Sequence, residues 1–316
     1  MKHLFIVNPI AGGRDRTKEI SALAARIFAK RGDSYEVHTT TEPMDACRKI
    51  ESAAESCGDA LRVYACGGDG TLNECVCGAV GKENVAVTNY PCGTGNDFVR
   101  CFGAEKDCFL DLESLVDGEV RPLDVIDCNG RSSINICSVG IDARIGTEAH
   151  KYSALPLLGG KASYITSCVV NLIKGVKQPL RYRFGSRQFD GELSLICACN
   201  GSYYGGGFHP VPEARPDDGV LDFLVVRGIS RLAFIRLVGG YAKGRYAEMP
   251  KDITHLQGDR IEIESETELV VNLDGEVLRA KKVCMQLLRG AVNFIVPRNM
   301  AFFRGAPAAS AGISAK

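Results

Sequence analysis

The chain has no excess charge of either sign: 38 lysines and arginines stand against 38 aspartates and glutamates, for a formal net charge of zero. No field of one sign covers the whole surface to recruit nucleic acid or a strongly anionic membrane, although local patches remain open. Long hydrophobic runs are also missing. The most apolar helix candidate, Ala162 to Ile173, is broken by Ser163, Thr166, Ser167 and Asn171 and is shorter than the roughly 20 residues a membrane span needs, so contact with a bilayer is expected to be peripheral. The first apolar run, Leu4 to Val7, ends at Asn8-Pro9, too soon for the core of a signal peptide, and a cytoplasmic location is the expectation. Fourteen cysteines lie scattered through apolar runs without a Cys-x-x-Cys unit, which excludes the common zinc modules and reads as buried thiols in a reducing compartment. His3, His38, His150, His209 and His255 form no ligand pattern, no internal repeat is visible, and no Gly-Lys-Ser/Thr closes a Walker A loop.

What the chain does have is enough apolar material for two cores, with 316 residues of which 45% are hydrophobic. The first third alternates short apolar strands (Leu4 to Val7, Tyr35 to His38, Leu61 to Ala65, Val85 to Thr88) with helix-period segments (Thr17 to Lys30, Asp45 to Ser56, Leu72 to Val80), the pattern of a parallel α/β sheet. Beyond about residue 121 the texture changes to extended runs separated by turn signals, interrupted by helical segments at Ala162 to Lys174 and Arg231 to Tyr241. The expected organisation is an α/β domain over residues 1–121, to which about 293–304 return, a β-rich domain over 122–292, and a disordered tail over 305–316.

Three strand-to-helix loops share the carboxyl edge of the expected sheet, where open α/β sheets bind ligands. The central one, Gly67-Gly68-Asp69-Gly70-Thr71, sets one carboxylate among glycines at a helix start. Backbone N–H groups there approach an anion closely and the helix end adds partial positive charge, so a carboxylate in that place implies a metal ion or a hydroxyl proton beside the phosphate. A plain tight turn would also explain the pentapeptide. The first loop, Asn8-Pro9-Ile10-Ala11-Gly12-Gly13, is followed by Arg14 and Arg16, and Thr40 follows the second strand, where it is placed to meet a nucleotide. The third, Gly93-Thr94-Gly95-Asn96-Asp97, repeats the logic of the central loop, although helix capping alone would account for Asn96 and Asp97.

Taken together, Asn8-Pro9-x-x-Gly12, Gly67-Gly68-Asp69-Gly70-Thr71-Leu72-Asn73-Glu74 and Gly93-Thr94-Gly95-Asn96-Asp97-Phe98 resemble the catalytic domain of the diacylglycerol kinase family, bacterial lipid kinases most closely. Further stations at Gly140-Ile141-Asp142-Ala143, Asn200-Gly201, Gly205-Gly206-Gly207-Phe208, Asp217-Asp218-Gly219 to Asp222 and Asp274-Gly275-Glu276 extend the likeness through nearly the whole chain. No acidic or glycine position of the pattern is missing, which argues against a degenerate pseudokinase, and Ala11 stands where many members carry serine. The resemblance implies a two-domain fold like that of NAD kinase, with an N-terminal parallel α/β sheet and a C-terminal β-sandwich domain. ATP would lie between the domains on Asn8 to Gly12, Thr40, Gly67 to Asn73, Gly93, Thr94, Asn96 and Asp97, with Mg²⁺ on the phosphates. Glu276 or Asp274 would accept the proton of the lipid hydroxyl, with Asp69 as a third candidate. A structural Mg²⁺ would sit on Asp218 and the backbone carbonyls of Arg215 and Val220. Arg100 and Lys161 are further cations expected near phosphate.

The expected activity is transfer of the γ-phosphate of ATP to diacylglycerol or a related lipid alcohol, with positioning and electrostatics supplying most of the catalysis. The lipid is the expected partner, met at a membrane surface through the Ala162 to Ile173 helix, which reads equally as a core helix. Nucleic acid is not expected, and a homodimer is left open. Two alternatives remain: a soluble-substrate kinase such as an NAD kinase, which shares the central glycine loop, and a nucleotide-binding regulator without turnover.

Overall fold

Three strands of the first domain, β1 (Lys2–Val7), β3 (Leu61–Gly67) and β4 (Val85–Pro91), carry near-continuous apolar runs because both of their faces are covered, as in parallel sheets. In the computed structural model, which describes residues 1–58, 60–146, 170–172 and 174–304, β1 pairs in parallel with β2 (Ser34–Thr39) and β3, and β3 with β4. Leu4, Phe5, Ile6 and Val7 are wholly buried. Helix α1 (Thr17–Phe28) buries Ile20, Ala24, Ile27 and Phe28 and α2 (Asp45–Ser56) buries Ala46, Cys47, Ile50 and Ala53, one stripe each at helical spacing. Helix α3 (Asp69–Ala79) is buried on most sides, and it approaches α2 so closely that a Cβ on Gly78 would lie 2.8 Å from the Cys47 carbonyl oxygen.

The second domain is antiparallel. Strands β7 (Ile136–Gly140), β9 (Arg187–Cys199), β10 (Leu221–Arg227) and β11 (Ile253–Gly258) run in the order β11-β10-β9-β7, then β12 (Arg260–Leu273) and β13 (Glu276–Val296), while β8 (Gln178–Phe184) links β12 to β9. β12 is a single strand despite a register shift between Glu264 and Leu269.

The two domains share strands. β13 leaves its hairpin with β12, pairs from Met285 to Val296 with β5 (Glu119–Cys128), and reaches β4 in parallel through Asn293 and Phe294. The expected boundary at residues 121 and 122 therefore falls inside β5, with no linker there. Where β5 and β13 shift register, between Leu288 and Val292, Asp124 turns inward: its carboxylate accepts from the N–H groups of Gly290 (2.7 Å) and Gly219 (2.8 Å). Gly290 has φ +56°, a conformation that favours glycine.

A few expectations need correction. The third loop opens only a four-residue helix, α4 (Asp97–Arg100), followed by a 3₁₀ stretch over Gly103–Leu110. A short helix, α5 (Leu112–Val116), and the strand β11 had no clear signal in the sequence. Among the described cysteines, all free, Cys108 is exposed rather than buried. Among the described residues no helix is long and apolar enough to cross a membrane. Lys161, the tail over 305–316 and, except for 170–172, the Ala162 to Ile173 segment lie outside the described residues.

Candidate active site

The three loops meet at the carboxyl ends of β1, β3 and β4 because glycines let their backbones touch. Gly12, at φ +64°, lies where a Cβ would come within 2.4 Å of the Cys92 carbonyl oxygen, and a Cβ on Gly67 would fall 2.2 Å from Thr71 Oγ1. Gly68 and Gly93 abut so closely that a Cβ on Gly93 would stand 2.5 Å from Gly68 Cα. Asn8 ties the first loop to the second: its Nδ2 donates to Thr71 Oγ1 at 3.2 Å while its Oδ1 accepts from Ile10 N at 3.1 Å. Pro9 and the exposed Ile10 form the outer turn, and Ala11 and Gly12 lie in its 3₁₀ turn. Thr40 sits beside this loop with its N–H on the Val7 carbonyl at 2.9 Å. Leu72 sends its side chain into the core, so only its backbone can serve a ligand, whereas Gly70 is open.

Gly93→Ala is therefore expected to force two backbones apart, lowering stability by about 1–3 kcal/mol and weakening binding of a phosphate-bearing ligand. Thermal melts and a nucleotide titration check it. Gly70→Ala, where a Cβ meets nothing within 4 Å, is the stability control.

Asn96 and Asp97 do not cap the next helix. Asn96, at φ +50°, closes the loop on itself, accepting from Gly93 N at 3.0 Å and donating to Gly93 O at 2.8 Å. The cap comes instead from Asp69, whose Oδ1 accepts the Phe98 N–H at 3.0 Å. The other oxygen of Asp69 faces Gly95, 3.0 Å from where a Cβ would be, and Asp97 Oδ2 approaches the same point at 3.7 Å. Asp97 Oδ2 accepts from Gly206 N at 2.7 Å, which pins the 204–208 loop of the second domain to the site. Its Oδ1 is buried without a hydrogen bond and has only the Arg100 guanidinium for charge, at 3.4 Å. Burial, and then the negative charge of Asp69, push the Asp97 carboxyl up to about 6 against the pull of Gly206 N–H and Arg100. Two carboxylates flanking a glycine, one with an orphaned oxygen, form a donor set suited to a hard cation such as Mg²⁺. Thr94, Asn96, Arg100 and Lys106, with Val99 and Leu110, line a mixed cleft of about 220 Å³ alongside.

Asp274 and Glu276 arrive on the β12–β13 hairpin, whose two-residue turn places Asp274 at φ +52° and Gly275 at φ +102°. Asp274 is fully engaged. Its Oδ1 accepts from Ile136 N (2.8 Å) and Asn135 N (3.2 Å), and its Oδ2 from Ile134 N (2.8 Å) and Asn73 Nδ2 (3.0 Å). Burial raises its pKa, opposed by these donors. Its geometry is that of a brace tying the hairpin to α3. The half-buried side chain of Glu276 makes no hydrogen bond or ion pair among the described residues.

Around Asp218 four carboxylates crowd together. Asp218, at the loop's rim, accepts from Val220 N at 3.0 Å, and partial burial with the charges of Asp222, Asp124 and Asp217 pushes it up to about 6. The Arg215 guanidinium is spent on Asp217 and on the Phe302 ring, 4.0 Å away, leaving its carbonyl as the group a metal would use. Asp222 is bound by His255 Nε2 (2.7 Å) and Gln257 Nε2 (2.9 Å). Among the described residues no three His, Cys, Asp or Glu side chains are arranged to hold a metal. A single aspartate with backbone carbonyls is a different donor set, and a cation there would offset the neighbouring negative charges that raise Asp218.

Sequence reasoning gave no role to a second feature. Beneath helix α6 (Arg231–Tyr241) lies an apolar cavity of about 190 Å³, lined by Ile141, Leu195, Phe208, Val226, Leu237 and Ile253 among others. Its one charged lining residue is Asp142, which accepts from Tyr204 OH at 3.2 Å, itself 3.1 Å from Tyr241 OH, and burial pushes that carboxyl up to about 6. The 204–208 loop that lines the cavity through Tyr204 and Phe208 is the one that Asp97 holds through Gly206. The one signal for it was an aspartate set in an apolar stretch, Val139-Gly140-Ile141-Asp142.

Comparison with known proteins agrees with this layout. The family model for the diacylglycerol kinase catalytic domain matches residues 2–128, and that for the YegS C-terminal NAD kinase beta sandwich-like domain matches residues 135–296. A diacylglycerol kinase of Bacillus subtilis (strain 168) is 26% identical over 278 residues, covering 87% of this chain and 90% of that protein. A probable lipid kinase YegS-like protein of Shewanella frigidimarina is 29% identical over 282 residues, 85% of this chain and 87% of that one. The crystal structure of a putative diacylglycerol kinase from Bacillus anthracis superposes with a TM-score of 0.70 at 27% identity, covering 93% of this chain and 96% of that one. With a two-domain fold and both halves matched in order, the chain belongs to the diacylglycerol kinase catalytic-domain family, in the form whose second domain is the YegS-type, NAD kinase-like β-sandwich.

Proposed function

We propose that the protein is an ATP-dependent lipid kinase that phosphorylates the hydroxyl of diacylglycerol or a closely related lipid alcohol. The observation that carries this is the apolar cavity under α6, joined to the phosphate loops by the 204–208 segment. A soluble acceptor such as NAD has no use for a chamber walled by aliphatic and aromatic side chains, whereas an acyl chain does.

In this reading the glycine loops around Asn8, Gly67 to Asn73 and Gly93 to Thr94 cradle the phosphates of ATP with backbone N–H groups. Asp69 and Asp97 would hold Mg²⁺, which neutralises charge on the transferring phosphoryl group when bound. Glu276 takes the proton from the lipid hydroxyl as its oxygen bonds to the γ-phosphorus and the bond to the β-phosphate oxygen breaks, leaving ADP and a phosphorylated lipid. Asp274, already saturated with donors, is a positioning residue that fixes the hairpin bearing Glu276. A second Mg²⁺ at Asp218, Arg215 and Val220 would relieve the crowded carboxylates there and stiffen the loop that Asp124 clamps.

The test is transfer of labelled γ-phosphate from ATP into micellar diacylglycerol, other lipid alcohols and NAD, with and without Mg²⁺. Label in a lipid alcohol, lost on chelating Mg²⁺, is expected. Label in NAD alone, or in no acceptor despite ATP binding, overturns the proposal.

A further inference from the structure

The outer face of α6 is not built like that of an ordinary surface helix. Phe234, Leu237, Val238 and Tyr241 point inward and line the cavity. A helix of this kind should carry polar residues on its opposite face. That face instead presents Leu232 and Ile235, 80% and 58% exposed, with Arg236 and Gly239 beside them, also exposed. Arg231, at the start of the helix, donates from Nε to the Leu172 carbonyl at 2.6 Å. Ser230 caps the helix, accepting from Ala233 N at 3.2 Å, so the element is well defined despite its apolar exterior.

Its charge is as one-sided as its exterior. Between Asp222 and Glu248 the chain carries Arg227, Arg231, Arg236, Lys243 and Arg245 and no acid, in a protein whose net charge is zero. Two neighbouring carboxylates are already paired, Glu248 with Arg245 at 3.6 Å and Glu192 with Lys177 at 3.0 Å. Exposed aliphatic side chains within a cationic surround complement a layer that offers hydrocarbon beneath anionic headgroups.

We propose that α6 is the membrane-docking element, lying in the plane of an anionic bilayer surface with Leu232 and Ile235 among the acyl chains and Arg236 at the headgroup phosphates. One helix then both touches the bilayer and roofs the cavity, so a lipid moves from one to the other without crossing water. The purpose of this arrangement rests on the lipid-kinase function, but the docking is measured without ATP and stands or falls separately.

The chain has no tryptophan, so Leu232→Trp supplies a fluorophore without background. With the full-length protein and vesicles of phosphatidylglycerol mixed with phosphatidylcholine, its emission is expected to shift to the blue and to be quenched by brominated acyl chains, and both effects should weaken with added salt or with phosphatidylcholine alone. The Leu232→Glu/Ile235→Glu pair should lower vesicle affinity by about a hundredfold, roughly tenfold for each side chain withdrawn from hydrocarbon. Its melting temperature and its turnover of a short-chain, monomerically dissolved diacylglycerol should stay at wild-type values. Unshifted emission on anionic vesicles, or a double variant that sediments with vesicles as the wild type does, overturns the proposal. So does a wild-type dimer that the double variant dissolves, since a second copy of the chain would then cover this face. A persistent blue shift in a protein that phosphorylates no lipid keeps the docking and removes the kinase function.

Discussion

Asp69→Asn is expected to reduce kcat on the order of a thousandfold or more while leaving the protein folded, because in the proposed site it removes a metal-facing charge and almost nothing else. The Oδ1 atom that accepts the Phe98 N–H has a counterpart in asparagine, so the junction between the second and third loops survives. What disappears is the negative charge at the oxygen beside Gly95, facing Asp97. The partner reports the change. The charge of Asp69 is the second cause, after burial, holding the Asp97 carboxyl at about 6, so in the variant Asp97 titrates lower, toward the usual carboxylate range. Stability follows with a definite sign. A carboxyl raised above its unfolded value stabilises the fold most when protonated, and that contribution is lost as pH rises through about 6; the variant loses less of it. Steady-state kinetics with MgATP, a carboxyl-carbon NMR titration and melts at two pH values check the three effects together. A variant retaining a tenth of wild-type kcat would remove Asp69 from the metal and phosphate site.

The second large effect separates two acids that are two residues apart. Asp274→Ala is expected to cost roughly 3–5 kcal/mol of stability, because the N–H groups of Ile134 and Ile136 and the amide of Asn73 lose their acceptor together in a half-buried corner. Against a total stability on the order of 5–15 kcal/mol that is a severe loss. Glu276→Gln should leave the melting temperature unchanged, since Glu276 has no partner to lose among the described residues, and should lower kcat about a hundredfold with little change in KM, as the removal of a proton acceptor does. Denaturant titrations and kinetics on the two variants decide it. If Glu276→Gln keeps full turnover, or if Asp274→Ala is as stable as the wild type and inactive, the roles of base and brace are exchanged.

What local pattern determines was legible in the sequence. The helices over Asp45–Ser56 and Arg231–Tyr241 lie where periodicity places them, and the three glycine loops share one sheet edge as the order of strands requires. What distant residues determine was not legible. Asn96 and Asp97 read as caps because capping is a local habit, but Asp69 took the cap and freed them to bind Gly93 and Gly206. β11 escaped notice because Thr254, His255 and Gln257 break its apolar run, although backbone pairing with β10 suffices to hold it. The cavity draws its lining from Ile141 to Ile253, and no window of sequence contains enough of it to reveal a chamber. Asp124, an acid within an apolar strand, takes its meaning from two glycines far along the chain.

The strand β13 also fixes the order in which this protein can be made. It closes the outer edge of β4 through Asn293 and Phe294 and supplies most of the ladder of β5, yet it is made after every other described strand. During translation the α/β domain must therefore wait with β4 unpaired on one side and β5 attached only to the short strand β6 (Arg131–Ser133), a bare edge of the kind that captures other nascent chains. Neither domain is complete without β13, so a chain cut after residue 128 lacks the strand that protects it, and the emergence of β13, not of the first domain, is the event that commits both to fold.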